Sequence, residues 1–535
     1  EKHYNLAAMT ETKSNANRQI ARAAGTVMFA FVLSNIMGLV RQILVSKTFG
    51  TNQSLDAFYA AATFPDLLFS LLAGGALASA FVPTFTGFLA NEKKEDAWRL
   101  ASAVTNLVIL LLSLVSGLAA LFAPGIVRHV LFVLKPELDP SLQSLTVELL
   151  RIILIAPTIF GVSGLLMSIL NTHQKFWLPA LAPVFNWVGW ILGIIFFVPS
   201  MGIYGLAWGY VIGAMLHLLV QVPGLLKLDR VRYSFTLGIG NPAIKEVARL
   251  MAPRLLGVAA VQINFVINAM IASGQGEGSL SAINVARMLM TMPLFVIAQA
   301  IATAALPTFS AQVARGEMSE MRSSLAATLR GVVLLSLPAT VGLILLRQPV
   351  IVLLFQRGEF DATSTQMVSW ALLWYTAGLV GHAVVEILSR AYYALHDTKT
   401  PVIVGTIAMG LNALFSFGFA WLFSQAGWMP HGGLALANSF ATALEAVALF
   451  IIMRKRLDGI EGGSILRGVS ASAIAAIAMG LAVVAWMTIG ANLSLWVSAP
   501  VGIAIGGLVY FGALFFLRVP ELNALVGAVM RRIRR

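Results

Sequence analysis

The sequence predicts an all-α polytopic membrane protein of about 14 transmembrane helices, built as two parallel six-helix lobes plus two extra C-terminal helices. Three observations carry that prediction. The 535-residue chain is 58% hydrophobic and 11% charged, with a mean hydropathy of +0.85. A soluble domain carries about 25% charged residues, so the bilayer has to be the solvent for most of this surface. Second, fourteen segments are apolar over the roughly 20 residues that a helix needs to cross a hydrocarbon core. Third, the first six of these echo in the next six, about 225 residues on. Ser54-Leu-Asp-Ala-Phe-Tyr-Ala-Ala61 returns as Ser279-Leu-Ser-Ala-Ile-Asn-Val-Ala286, Ala80-Phe-Val-Pro-Thr-Phe-Thr86 as Ala304-Ala-Leu-Pro-Thr-Phe-Ser310, and Gly205-Leu-Ala207 as Gly433-Leu-Ala435. Internal duplication of a six-helix block is the build of secondary transporters.

In chain order, residues 1–19 read as a polar tail. Residues 20–225 hold the first lobe, with spans at 22–46, 56–89, 100–123, 147–170, 178–198 and 202–225. The stretch 226–246 is a long polar connection, which the sequence marks as linker and hinge. Residues 247–454 hold the second lobe, with spans at 247–273, 281–312, 322–346, 364–394, 400–423 and 432–453. An even number of crossings leaves the second block in the orientation of the first, so the repeats are parallel. The segment 455–518 adds two spans with no counterpart in the repeat, and 519–535 is a basic tail.

A net charge of +13 would point to nucleic acid in a soluble protein, but its distribution says otherwise. With the N-terminus inside, the inward loops collect Lys93, Lys94, Lys175, Lys227, Arg230, Arg232, Lys245, Arg315, Lys399 and Arg454-Lys-Arg456, while the outward loops hold few cations. That bias places both termini in the cytoplasm and makes membrane lipid, not nucleic acid, the partner of the basic loops. The chain has no cysteine, which excludes disulfides and thiolate metal sites. It also lacks a Walker A loop, a paired His/Glu metal motif and a nucleophile elbow, so nothing argues for catalysis, a bound cofactor or ATP use.

Ionisable groups inside spans are costly, and by default they mark function. In the first span Ser34, Gly38 and Arg41 share a face; in the second, Asp56, Tyr59, Thr63 and Ser70 do, with Asp66 at its edge. Arg254 and Arg287 are the basic groups of spans seven and eight. Span ten carries the stripe His382, Glu386, Arg390 and Tyr393, in which Glu386 and Arg390 have ion-pair spacing. Glu445 in span twelve stands at the repeat position of His217 in span six. Arg41, Arg254 and Arg287 together suit an anion with several oxygens, because guanidinium binds phosphate bidentately and stays charged when dehydrated.

Short motifs then give the chain a family likeness. Gly38-Leu-Val-Arg41, Asp56-Ala-Phe58, Phe64-Pro-Asp-Leu-Leu68, Leu178-Pro-Ala-Leu-Ala-Pro183 and Leu354-Phe-Gln-Arg-Gly-Glu-Phe360 all contribute, and Tyr392-Tyr-Ala-Leu-His-Asp-Thr-Lys-Thr-Pro401 is the most specific. With these, the chain from about residue 20 to 518 resembles the MurJ (MviN) family, lipid II flippases of the MOP exporter superfamily. The resemblance implies two lobes around a cationic cavity, MATE-like in fold, and a groove framed by helices thirteen and fourteen for a polyprenyl tail. It also implies a multi-pass protein of the bacterial cytoplasmic (inner) membrane, active in peptidoglycan and cell-wall biogenesis, with cell-wall synthesis proteins as candidate partners.

The chain departs from the family in two places. Asn35 and Phe69 stand where relatives often have arginine, and Arg287 lies six rather than five residues before Pro293, about 100° of helix. Arg254 is the candidate to supply the missing charge, so the expected substrate contacts are Arg41, Arg254, Arg287 and Asn35. Gating or ion coupling is expected at Asp56, Glu386, Arg390 and Glu445, driven by a coupling ion or the membrane potential. The function implied is flipping of lipid II between leaflets by alternating access. The alternative is a flippase for another polyprenyl-pyrophosphate saccharide, of O-antigen or capsule type.

Overall fold

The computed structural model describes residues 27–72, 76–134, 139–228, 231–519 and 522, and among these it is helical, with no strand. The spans are α1 (Val27–Phe49), α2 (Gln53–Leu72) with α3 (Ala76–Ala90), α4 (Lys94–Leu121), α5 (Pro140–Thr172), α6 (Trp177–Met201), α7 (Ile203–Leu226) and α8 (Pro242–Ser273). The second series is α9 (Ser279–Ala314), α10 (Met318–Phe355), α11 (Ala362–Ala377) with α12 (Leu379–Ala394), α13 (Lys399–Gln425), α14 (His431–Arg456), α15 (Gly462–Ile489) and α16 (Leu495–Phe516). Among the described residues 11 helices are long and apolar enough to cross a membrane, or 12 if the bent pair α11–α12 is one span. The remaining two segments of the 14 read from sequence are helical as α2–α3 and α8; residues 73–75 of the first and some side chains of α8 lie outside what the structure describes.

Contacts divide the chain into two compact units, residues 1–49 with 53–270 and residues 50–52 with 271–535. The duplication read from sequence recurs as a duplicated packing pattern within each. In unit 1, α2 packs on α5, α5 on α7 and α6 on α7; in unit 2, α9 packs on α11, α12 on α14 and α13 on α14. The corresponding spans are also broken at the same place. The α5 span has a turn at Leu154–Ile155 just before Pro157, and α11–α12 bends by 43° at Gly378. The two unpaired helices, α15 and α16, pack on each other and on α10, where the Tyr510 hydroxyl donates to Leu334 O at 2.7 Å.

The contact division falls near the end of α8, and the 226–246 connection, which the sequence marks as linker and hinge, belongs to unit 1. The physical reason is non-local: residues 232–236 of that connection are hydrogen-bonded to Ser102 and Asn106 of α4. The linker is thereby part of unit 1.

Small residues set the closest helix crossing of unit 1. Gly189 and Gly193 of α6 face Gly213 and Gly209 of α7 so tightly that a Cβ on Gly189 would lie 2.3 Å from the Gly213 Cα. Such glycine pairs let backbones touch, which is how membrane helices gain dispersion contact. Gly189→Ala should therefore push α6 off α7, costing about 1–3 kcal/mol, visible as a lowered midpoint of thermal unfolding in detergent.

The motif Tyr392–Pro401 is a clamp between helices. Tyr392 is fully buried and donates to Leu449 O of α14 at 2.9 Å. In the turn that follows, Asp397 accepts from the Thr400 hydroxyl (2.7 Å), from the Thr400 and Lys399 amides (3.0 and 3.1 Å) and from Arg456. The Thr400 hydroxyl and amide, then Arg456, hold the Asp397 carboxyl down at about 2. A depressed carboxylate adds stability that is complete above its unfolded value of about 3.9 and is lost as pH falls through about 2. Asp397→Asn should remove that part of the acid slope, which thermal melts over this pH window would read directly.

Candidate functional site

In unit 1 the centre of interest is Arg41 of α1. Its guanidinium lies between the indoles of Trp187 and Trp190 of α6, 4.7 Å from each ring centroid. Position explains the pairing. Ser34, Gly38 and Arg41 share one face of α1, and the Trp187 Nε1–H donates to Ser34 Oγ at 3.1 Å while its ring lies over Gly38. Trp190 packs against Phe58 of α2 and Tyr210 of α7, with ring centroids 5.5 and 5.2 Å away. On α2 the groups that interact with the guanidinium are Tyr59 and Asp66. Tyr210 donates to Asp66 Oδ1 at 2.5 Å, and Tyr59 exchanges hydrogen bonds with Gln42 at 3.2–3.3 Å. Arg41 is half-buried and its Nε has no hydrogen-bond partner. A permanently charged donor is thus held among aromatic faces, which favour a cation by about 2 kcal/mol when water is largely excluded.

The other sequence candidates of unit 1 fall elsewhere. Asn35 is six residues before Arg41, so it sits about 120° round α1; it is exposed and donates to Phe31 O at 2.8 Å. Asp56 is half-buried in the first turn of α2, where a carboxylate is stabilised by the helix N-terminus. Arg254 lies on α8, and its side chain is outside the described residues.

Unit 2 carries two groups. Arg287 of α9 is half-buried and donates to Asn284 Oδ1 at 3.0 Å, one turn back on its own helix, with Tyr375 of α11 nearby. The second group is the stripe on α12. Arg390 pairs with Glu386 at 3.6 Å, lies 5.8 Å from the Tyr393 ring, and donates to Gln299 Oε1 at 3.3 Å. Gln299 closes a π-helical turn, Phe295–Gln299, that follows Pro293 in α9. His382 meets Asn438 Oδ1 at 3.0 Å and the Thr442 hydroxyl at 3.4 Å on α14. Glu445, one turn further along α14, interacts with Glu386, and the absent side chain of Gly405 on α13 leaves it room. The stripe therefore comes together with Glu445 as a polar seam of two acids, one arginine and one histidine.

Sequence reasoning did not weigh Trp187, Trp190, Tyr210 or Gln299. The available signal was the pair of tryptophans three residues apart in α6, which puts two indoles on one face.

A duplicated helical membrane protein of this packing has the build of a membrane transporter, and its fold is that of the MOP exporters. The chain belongs to the lipid II flippase MurJ family, whose model matches residues 45–500. It is 34% identical to the lipid II flippase MurJ of Burkholderia cenocepacia over 441 residues, 81% of this chain and 84% of that one. To the probable lipid II flippase MurJ of Vibrio cholerae it is 32% identical over 80% of this chain and 82% of the relative. A solved lipid II flippase MurJ in an inward closed conformation superposes with a TM-score of 0.78 at 26% identity, covering 92% of this chain and 98% of that one. An inward-facing multidrug resistance MATE transporter of the MOP superfamily shares the fold at a TM-score of 0.67 and 16% identity, covering 79% of this chain and 94% of its own.

Proposed function

We propose that this protein is a lipid II flippase, moving the lipid-linked peptidoglycan precursor from the inner to the outer leaflet of the bacterial cytoplasmic membrane by alternating access. Membership of the family, with relatives of that description, supports the cargo. The observation that carries the mechanism is the Arg41 guanidinium held between the indoles of Trp187 and Trp190, a half-buried cation inside a membrane span. In this reading Arg41 captures the pyrophosphate, and Arg287 and Arg254 add charge from the later spans. A dehydrated arginine suits this task because it cannot lose its proton and its donors match phosphate oxygens in pairs. The polyprenyl chain stays in lipid, so only the anionic and sugar-peptide head needs a polar path.

Both termini face the cytoplasm in this reading, as the Lys/Arg bias of the loops favours. The Glu386–Arg390–Glu445 seam is the place for ion coupling, with Asp56 as a second acid. The membrane potential supplies about 2.3 kcal/mol per elementary charge per 100 mV, enough to bias a step in which one net charge crosses. No catalytic step or bound cofactor is required for this task. The test is rescue of growth in a bacterium depleted of its own lipid II flippase. Expression of the chain should restore cell shape and prevent lysis; lysis despite a membrane-inserted, full-level protein would overturn the assignment.

A further inference from the structure

The connection between α7 and α8 has a two-sided pattern that transport does not use. Val231, Tyr233, Phe235, Leu237 and Ile239 alternate with Arg232, Ser234, Thr236 and Gly238, and residues 231–238 have no helix or strand partner. The even positions are fastened to one face of α4. Arg232 pairs with Glu95 at 2.9 Å, and Ser102 Oγ accepts from the Ser234 amide at 3.1 Å. The Asn106 amide donates to Ser234 O and Thr236 O at 3.3 and 2.9 Å, and its Oδ1 accepts from the Tyr233 hydroxyl at 2.5 Å. Ser102 and Asn106 are buried beneath the segment. The chain then turns at Gly238, whose φ of +54° lies in the left-handed region and where a Cβ would lie 2.4 Å from Ile244 Cδ1 and 3.2 Å from Ala103 Cβ. Of the odd positions, Tyr233 is tied to α4 through its hydroxyl, while Phe235, 94% exposed, and Ile239, 69% exposed, face outward.

Depth along α4 decides what meets that outward face. The last charged residue of α4 is Arg99, and Asn106 lies seven residues further, about 10 Å along the axis. Apolar faces that bind at a membrane interface sink about 5–10 Å below the headgroups. Non-helical backbone is tolerated near lipid only where its polar groups find partners, which Ser102 and Asn106 provide for the inner edge of this segment. Exposed cations around it (Lys93, Lys94, Arg99, Lys227, Lys245 and Arg249) outnumber the exposed acids Glu92, Asp96 and Glu246, with Glu95 paired to Arg232, which matches anionic headgroups. We propose that residues 231–239 form a re-entrant hook that inserts Phe235, Leu237 and Ile239 into the bilayer leaflet on that side. The partner of this surface is the lipid itself. The hook anchors the connection to α4. It is independent of the cargo assignment.

The absence of cysteine makes the test clean, since Phe235→Cys introduces the sole thiol of the chain. The full-length variant is spin-labelled and reconstituted in vesicles of phosphatidylethanolamine and phosphatidylglycerol. Collision of the label with oxygen and with a water-soluble nickel chelate is then compared. The hook predicts relaxation dominated by oxygen, with nickel contact largely lost. Dominance by nickel would place Phe235 in water, and low contact with both would place it under protein; either overturns the proposal. Ile239→Cys is a second reporter with the same expectation, should the first variant insert poorly. Adding Asn106→Ala to either should raise nickel contact by releasing the hook; an unchanged label would show that α4 does not hold it.

Discussion

Arg41→Ala should reduce delivery of lipid II to the outer leaflet to background while the protein still inserts in the membrane. A charge-assisted hydrogen bond to a pyrophosphate oxygen contributes about 1.5–3 kcal/mol, which is roughly a 10- to 100-fold loss in capture for each bond removed. The same substitution empties the space between Trp187 and Trp190, so some loss of stability is expected with it. Arg41→Lys separates the two effects. An ammonium still sits over an indole, and thermal stability should return close to wild type. It presents no planar fork to two phosphate oxygens, so transport should stay low. A lysine variant with normal transport would reduce Arg41 to a structural cation.

The second large effect is expected at Arg390. Its pair with Glu386 is 3.6 Å long with both side chains less than one-third exposed, and Gln299 is its other partner. Arg390→Ala leaves Glu386 without its counter-charge beside Glu445, a loss of about 1–3 kcal/mol from the unpaired carboxylate. Glu386→Gln in the Arg390→Ala background should recover most of that stability, because the stranded charge is gone. Transport then discriminates. If the seam couples an ion, the double variant is stable and inactive. If the pair is only a brace, activity returns with stability. Unfolding midpoints and outer-leaflet lipid II measured on the four members of the cycle give both answers.

What could be read from the chain beforehand follows from the range of each signal. Periodicity is local, so Ser34, Gly38 and Arg41 were visibly one face of a helix, and Glu386 with Arg390 visibly a pair. The same arithmetic argues against Asn35, which family likeness nominated. The duplication was legible because both copies keep Pro and Gly where spans break or touch, as at Pro83 and Pro307 or Gly205 and Gly433. Long-range chemistry was not legible. The cage of Arg41 depends on two tryptophans about 150 residues away, and in an apolar span an indole reads as lipid contact. The connection 226–246 read as a hinge because its polar composition is that of a loop. Its attachment to Ser102 and Asn106 spans about 130 residues of sequence and leaves no local mark. The specific stretch Tyr392–Pro401 was found as a motif, but only the structure gives its work: it clamps three helices through Tyr392, Asp397 and Arg456.

The most direct test of the central claim is the fraction of lipid II reachable from outside in cells whose only flippase is this chain. Protoplasts would be treated with an impermeant reagent that cleaves exposed lipid II, for wild type and Arg41→Ala at matched membrane levels. The account predicts that wild type restores the exposed fraction and Arg41→Ala does not. Exposed lipid II at equal levels in both would contradict the role of the caged arginine, and none in either would contradict the cargo itself.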